Sequence, residues 1–199
     1  MSGGKAKEAR RRERSDRNEV PRAGRVRRWL LPAGGLVVVA AVVGGVFAAR
    51  GNDGSPSFSR GATAGPAVAL SGRSPITGAR VSLAAYRGEP VVLNVWASWC
   101  TGCREEAKDL ASFARAHPEA QVVGLDTQDT DGGARAFYRE FGWSHPSVRD
   151  PSGSTAAELG LQGLPTTIFL DAQGREVTRI IGATNREGFE QGLRAAKNA

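Results

Sequence analysis

The sequence predicts an α/β domain built on a mixed sheet. Three observations predict it. Apolar runs of strand length alternate with segments of helical spacing along the second two-thirds of the chain. The apolar, β-branched run Val91 to Trp96, a helical segment, and a second apolar run from Gln121 to Asp126 form a crossover unit, which makes those two strands parallel. A strand from Thr166 to Leu170, the turn Asp171-Ala172-Gln173-Gly174 and a partner from Glu176 to Ile181 form a closing hairpin, followed by one last helix.

The 199 residues suit one ordinary domain plus something small. Residues 1–28 hold eleven Lys/Arg and four Asp/Glu, a surplus that equals the whole net charge of +7. The basic balance therefore belongs to a tail, and the neutral remainder argues against a nucleic-acid partner. That tail is expected to be disordered and cytoplasmic. Trp29 to Ala49 are 21 residues without a charge, enough to span a bilayer. Arg25, Arg27 and Arg28 stand directly before them, and the positive-inside rule keeps that side in the cytoplasm. The expectation is a single-pass anchor in the cell membrane at 29–49, with the rest of the chain extracytoplasmic. A cleavable signal peptide ending near Val46-Phe47-Ala48-Ala49 is the competing reading. Residues 50–66 are rich in Gly, Ser, Pro and Ala and read as a flexible linker. The folded domain is placed at 67–199.

Within it, Val68 to Leu70 and Arg80 to Leu83 read as short strands around a Ser74-Pro75-Ile76-Thr77-Gly78 turn. The strand at 91–96 leads through two cysteines into a helix from Arg104 to His117, with Ala107, Leu110, Ala111 and Ala114 on one face. After the strand at 121–126, Gly133 to Phe141 is a helix with Ala134, Phe137, Tyr138 and Phe141 together. Ser147 to Arg149 is a short strand, Asp150 to Gly153 a turn, and Ser154 caps a short helix to Leu159. Asn185 starts the last helix, with Phe189, Leu193 and Ala196 inward.

Cys100 and Cys103 are the only cysteines, and they sit where a strand ends and a helix begins. Free backbone N–H groups and the helix dipole favour a thiolate there. Cys100 lies nearer the helix start and is the candidate nucleophile. Cys103 is one turn on and is the candidate resolving thiol. Such a pair attacks a disulfide, holds the mixed intermediate and releases it by internal attack. A zinc site wants four ligands. His117 and His145, the only histidines, have no ligand-like spacing to the cysteines or to each other. No metal is expected, and no cofactor beyond the dithiol itself.

The segment Trp96-Ala97-Ser98-Trp99-Cys100-Thr101-Gly102-Cys103-Arg104-Glu105-Glu106, with Gly163-Leu164-Pro165-Thr166-Thr167 downstream, resembles the membrane-anchored thioredoxin-like proteins of the TlpA/ResA/DsbE type. The likeness covers about residues 67–198, plus the anchor. It implies a thioredoxin fold with an N-terminal β-hairpin and an inserted βα element. It implies that Pro165 is a cis-proline facing the dithiol, with the Leu164 backbone turned to pair with an extended substrate. It implies that Trp99 packs beside the sulfurs and binds substrate, the alternative being ordinary core packing. Glu106 is i+3 from Cys103 and shares its helical face. By the resemblance it is an acid/base candidate; otherwise it is a solvated charge in the first turn of a helix. Asn94 stands where cytoplasmic thioredoxins carry a buried aspartate. Two positions depart from the family pattern. Gly102 replaces the usual proline, and Ala107-Lys108 replace an apolar residue and a proline.

The resemblance implies an extracytoplasmic thiol–disulfide oxidoreductase that reduces exported proteins, such as the haem-binding cysteines of apocytochrome c, in cytochrome c biogenesis. A membrane electron carrier of the CcdA type would recharge it. A disulfide-forming oxidase for exported proteins remains the alternative. A peroxidase of this fold needs a threonine three positions before its cysteine, and Ala97 stands there. A copper chaperone of this class uses CxxxC plus a distant histidine, and the spacing here is one residue short.

Overall fold

The computed structural model describes residues 57–60 and 65–199. The basic tail at 1–28, the apolar stretch at 29–49 and most of the 50–66 linker lie outside the described residues. Among the described residues no helix is long and apolar enough to cross a membrane. The elements in order are β1 (Ser57–Arg60), β2 (Ser71–Arg73), β3 (Arg80–Ser82), a 3-10 turn (Leu83–Tyr86), β4 (Val91–Trp96), α1 (Thr101–Ala116), β5 (Gln121–Thr127), α2 (Asp131–Phe141), β6 (Ser147–Asp150), α3 (Ser154–Glu158), β7 (Thr166–Leu170), β8 (Glu176–Ile181) and α4 (Arg186–Lys197).

Six strands form one sheet in the order β1-β8-β7-β4-β5-β6, and β2 and β3 pair apart from it. β4 runs parallel to β5, and β5 to β6. β7 and β8 form the antiparallel half, with β7 beside β4. The sheet is mixed, as the alternation of elements predicts. β4 is central and wholly buried, which is why it reads as a nearly continuous apolar run rather than an alternating one. Its pleat sends side chains both ways. Val92 and Trp96 join the cluster under α1, α2 and α4, while Val91, Leu93 and Val95 join the one under the β2–β3 hairpin and α3. Trp96 is the hub of the first cluster, with its ring centroid 4.7 Å from Phe137 and 5.0 Å from Trp143. That packing seats α2 against the end of β4, next to the cysteines.

Local details differ from the sequence reading for local reasons. The first hairpin strand is Ser71–Arg73, not Val68 to Leu70. The residues before it bond elsewhere: Val68 N–H donates to Gly174 O and Leu83 N–H to Leu70 O. α1 begins at Thr101, so the cysteines lie at and inside its first turn. Ser154 is not the cap of α3. Gly153 holds that position in a left-handed conformation (φ 76°) without a side-chain cap bond. Ser57–Arg60, inside the stretch read as linker, form the edge strand against β8.

Candidate active site

β4 ends at Trp96, and the chain turns once before α1 begins. Cys100 N–H donates to Ala97 O at 3.2 Å, which closes that turn. Cys100 is the N-cap of α1, and its Sγ accepts from Cys103 N–H at 3.1 Å. A free N–H of the first helical turn therefore points at the candidate nucleophile, as the thiolate argument requires. Cys100 and Cys103 are joined by a disulfide, with Cα atoms 5.3 Å apart. Cys100 is 5% exposed and Cys103 1%, so Cys100 is the more accessible sulfur.

The Leu164–Pro165 bond is cis. It packs against the first turn of α1: a Cβ on Gly102 would lie 3.0 Å from Pro165 Cδ. The absence of a side chain at Gly102 therefore suits the close approach of the proline. Trp99, Cys100, Thr101 and Gly102 line one side of an open cleft, and Thr127, Gln128 and residues Leu161 to Leu164 line the rest. None of these residues carries a charge. Trp99 is 58% exposed, the one large hydrophobic side chain left in solvent among the described residues. It is not a core residue. Its indole N–H donates to Gln128 O at 3.0 Å, which stands the ring at the cleft beside the dithiol.

Glu106 is not on a solvated face. It is 1% exposed, whereas its neighbour Glu105 is exposed. Oε1 accepts from Asn94 Nδ2 at 2.8 Å and Oε2 from Thr184 N–H at 3.0 Å. Burial raises its pKa to about 8 against the lowering pull of those two donors, and the charge of Asp109 adds to the rise. Burial thus favours the protonated form of this carboxyl, one helical turn from Cys103. Asn94, on β4, also donates to Thr167 Oγ1 on β7 at 3.0 Å. An amide on β4 thus grips the carboxyl on α1.

Three participants escaped the sequence reading: Thr184, Gln128 and Asp129. Thr184 supplies a backbone N–H, and Gln128 a backbone carbonyl, so no side-chain pattern marks them. Asp129 accepts from Ser98, 31 residues earlier in the chain.

The comparisons agree with this geometry. Residues 64–177 match the AhpC/TSA family. The chain is 34% identical over 155 residues to the thiol:disulfide interchange protein HelX of Rhodobacter capsulatus, covering 74% of this chain and 84% of that one. It is 34% identical over 109 residues to the thiol:disulfide interchange protein DsbE of Haemophilus influenzae, a match to 54% of this chain and to less than two thirds, 59%, of that protein. A crystal structure of a DsbF homologue from Corynebacterium diphtheriae superposes with a TM-score of 0.64 at 30% identity, covering 71% of this chain and 94% of that one. The match of residues 64–177 to the family model and the likeness to these relatives, in a chain with a strand–turn–helix dithiol beside a cis-proline on a mixed sheet, place it in the AhpC/TSA family, among its thioredoxin-like thiol–disulfide oxidoreductases.

Proposed function

We propose that the chain is an extracytoplasmic disulfide reductase, tethered by residues 29–49, with Cys100 as nucleophile and Cys103 as resolving thiol. In this reading the Cys100 thiolate attacks a substrate disulfide, one substrate sulfur leaves as thiolate, and Cys103 then displaces the other. The protein ends oxidised and the substrate reduced. Leu164 and Pro165 present backbone to an extended substrate, Trp99 forms a wall beside it, and Glu106 holds or moves a proton near Cys103. Substrates are exported proteins such as apocytochrome c, and a CcdA-type membrane carrier restores the dithiol.

The observation that carries the reducing direction is the uncharged cleft. A strong oxidant needs a strongly stabilised thiolate. Here Cys103 N–H and the helix start supply the stabilisation, with no cation lining the cleft. Arg104, the nearest cation in sequence, pairs with Glu140 and lies over the rings of Phe137 and Phe141.

The test is chemical rescue. Cells lacking the protein should lose mature cytochrome c and regain it with added dithiothreitol. Regain with cystine instead would establish the oxidase alternative.

A further inference from the structure

Consecutive residues of the β5–α2 loop grip the turn that delivers Cys100. Ser98 and Trp99 are the two central residues of the Ala97–Cys100 turn, and both are held from outside it. Ser98 N–H donates to Asp129 Oδ2 at 2.5 Å, and Ser98 Oγ to Asp129 Oδ1 at 2.9 Å. The Trp99 indole donates to the carbonyl of Gln128 at 3.0 Å. Gln128 adopts φ 51°, a left-handed conformation that is uncommon for a residue with a Cβ. Its own N–H is tied to Asp150 O at 2.9 Å.

The carboxylate is not needed to cap α2. Thr130 does that, accepting from Gly133 N–H at 3.1 Å. The helix also makes room for the contact. A Cβ on Gly133 would lie 2.5 Å from Ser98 Oγ and 2.8 Å from Asp129 Oδ1. Gly is a poor residue in the first turns of a helix, and here its missing side chain coincides with the grip on Ser98.

We infer that Asp129 is a positioning residue for disulfide exchange: through Ser98 it fixes the Ala97–Cys100 turn, and so the presentation of Cys100 and Trp99 to a substrate disulfide. Asp129 touches no reacting atom: its Oδ1 also accepts from Thr130 N–H at 2.7 Å and its carboxylate lies against the buried carboxyl of Asp126, and its reach to Cys100 runs through that turn. A loose turn would let the Cys100 sulfur leave the N–H of Cys103 and let Trp99 leave the cleft wall. The inference rests on the exchange reading of the dithiol.

The test uses the full-length protein, reduced, with glutathione disulfide as the probe. The second-order exchange rate, the pH profile of Cys100 alkylation and the thermal midpoint are read together. Asp129→Ala should exchange at least about tenfold more slowly, with its alkylation profile displaced to higher pH. Asp129→Asn keeps an oxygen for Ser98 N–H and should recover most of the rate. Gly133→Ala, which helix propensity favours, should nonetheless slow exchange. An Asp129→Ala protein within twofold of wild type would overturn the inference, as would an Asp129→Asn protein as slow as Asp129→Ala. If Asp129→Ala does not fold, Gly133→Ala decides: slowed exchange supports the grip, and an unchanged rate overturns it. Wild type that fails to exchange overturns the oxidoreductase reading itself, whereas wild type that exchanges beside an unaffected Asp129→Ala overturns the grip alone.

Discussion

Replacing Glu106 by Gln should make the protein more stable at neutral pH. The carboxyl is 1% exposed and its pKa is raised from 4.5 to about 8, burial being the main cause. Between those two values the unfolded chain has lost this proton and the folded chain keeps it. Stability therefore falls as pH rises from about 4.5, and levels off above about 8. Each pH unit in that window costs about 1.4 kcal/mol, which amounts to about 3 kcal/mol at pH 7. The Gln variant has no proton to lose. It also has a way to satisfy its amide. Asn94 Oδ1 has no hydrogen-bond partner, while Nδ2 serves both Glu106 and Thr167. Reversing the Asn94 amide lets that oxygen accept from the new amide and from the Thr167 hydroxyl. Urea unfolding of the oxidised protein between pH 4 and pH 8 measures the difference. The two proteins should be close at pH 4, and the variant should lead by about 3 kcal/mol at pH 7. A gap that stays constant across this range would mean that Glu106 ionises normally in the fold, and would refute the reasoning.

Asn94→Asp puts a second carboxyl at hydrogen-bond distance from Glu106. Two buried carboxyls cannot both ionise, so thermal unfolding should show a loss of about 3 kcal/mol at pH 7 and more at pH 9. His145 is buried, and burial pushes its pKa from 6.5 down to about 3. The unfolded chain takes up a proton below pH 6.5 that the folded ring refuses, so stability should fall as pH drops from there towards 3, by at most about 1.4 kcal/mol per unit. His145→Gln should flatten that limb in urea titrations. Trp99→Ala removes a ring that is 58% exposed. Stability should move by less than about 0.5 kcal/mol, while KM for a disulfide-bonded peptide rises and kcat changes little.

What is local in the chain is what its sequence makes legible. β4, the two cysteines and α1 are contiguous, and the period of the apolar residues changes from a strand run to helical spacing across them. The i+3 step put Glu106 on the face of Cys103, but its burial is set elsewhere. Its partners are Asn94, 12 residues before it, and Thr184, 78 residues after it, and only the assembled sheet brings them together. The cis bond at Pro165 has no local mark beyond a proline before a strand; only the likeness to a family implies it. The first hairpin strand lies three residues beyond Val68 to Leu70, although those residues look more strand-like than Ser71, Gly72 and Arg73. Pairing decided otherwise: the ladder runs Ser71 to Ser82, Gly72 to Val81 and Arg73 to Arg80. Nothing in the run Trp96 to Cys103 announces that a carboxylate from the next loop holds Ser98.

The most direct test of the account is the equilibrium reduction potential of the Cys100–Cys103 couple, measured against glutathione buffers with Cys100→Ser as the blank. The account predicts a reversible two-electron couple near the thioredoxin value, about −270 mV, because the Cys103 N–H at the helix start faces the Cys100 sulfur and no cation lines the cleft. A value near about −120 mV, that of a strong disulfide donor, would contradict the reducing direction. A pair that forms no disulfide in any buffer would contradict the dithiol mechanism altogether.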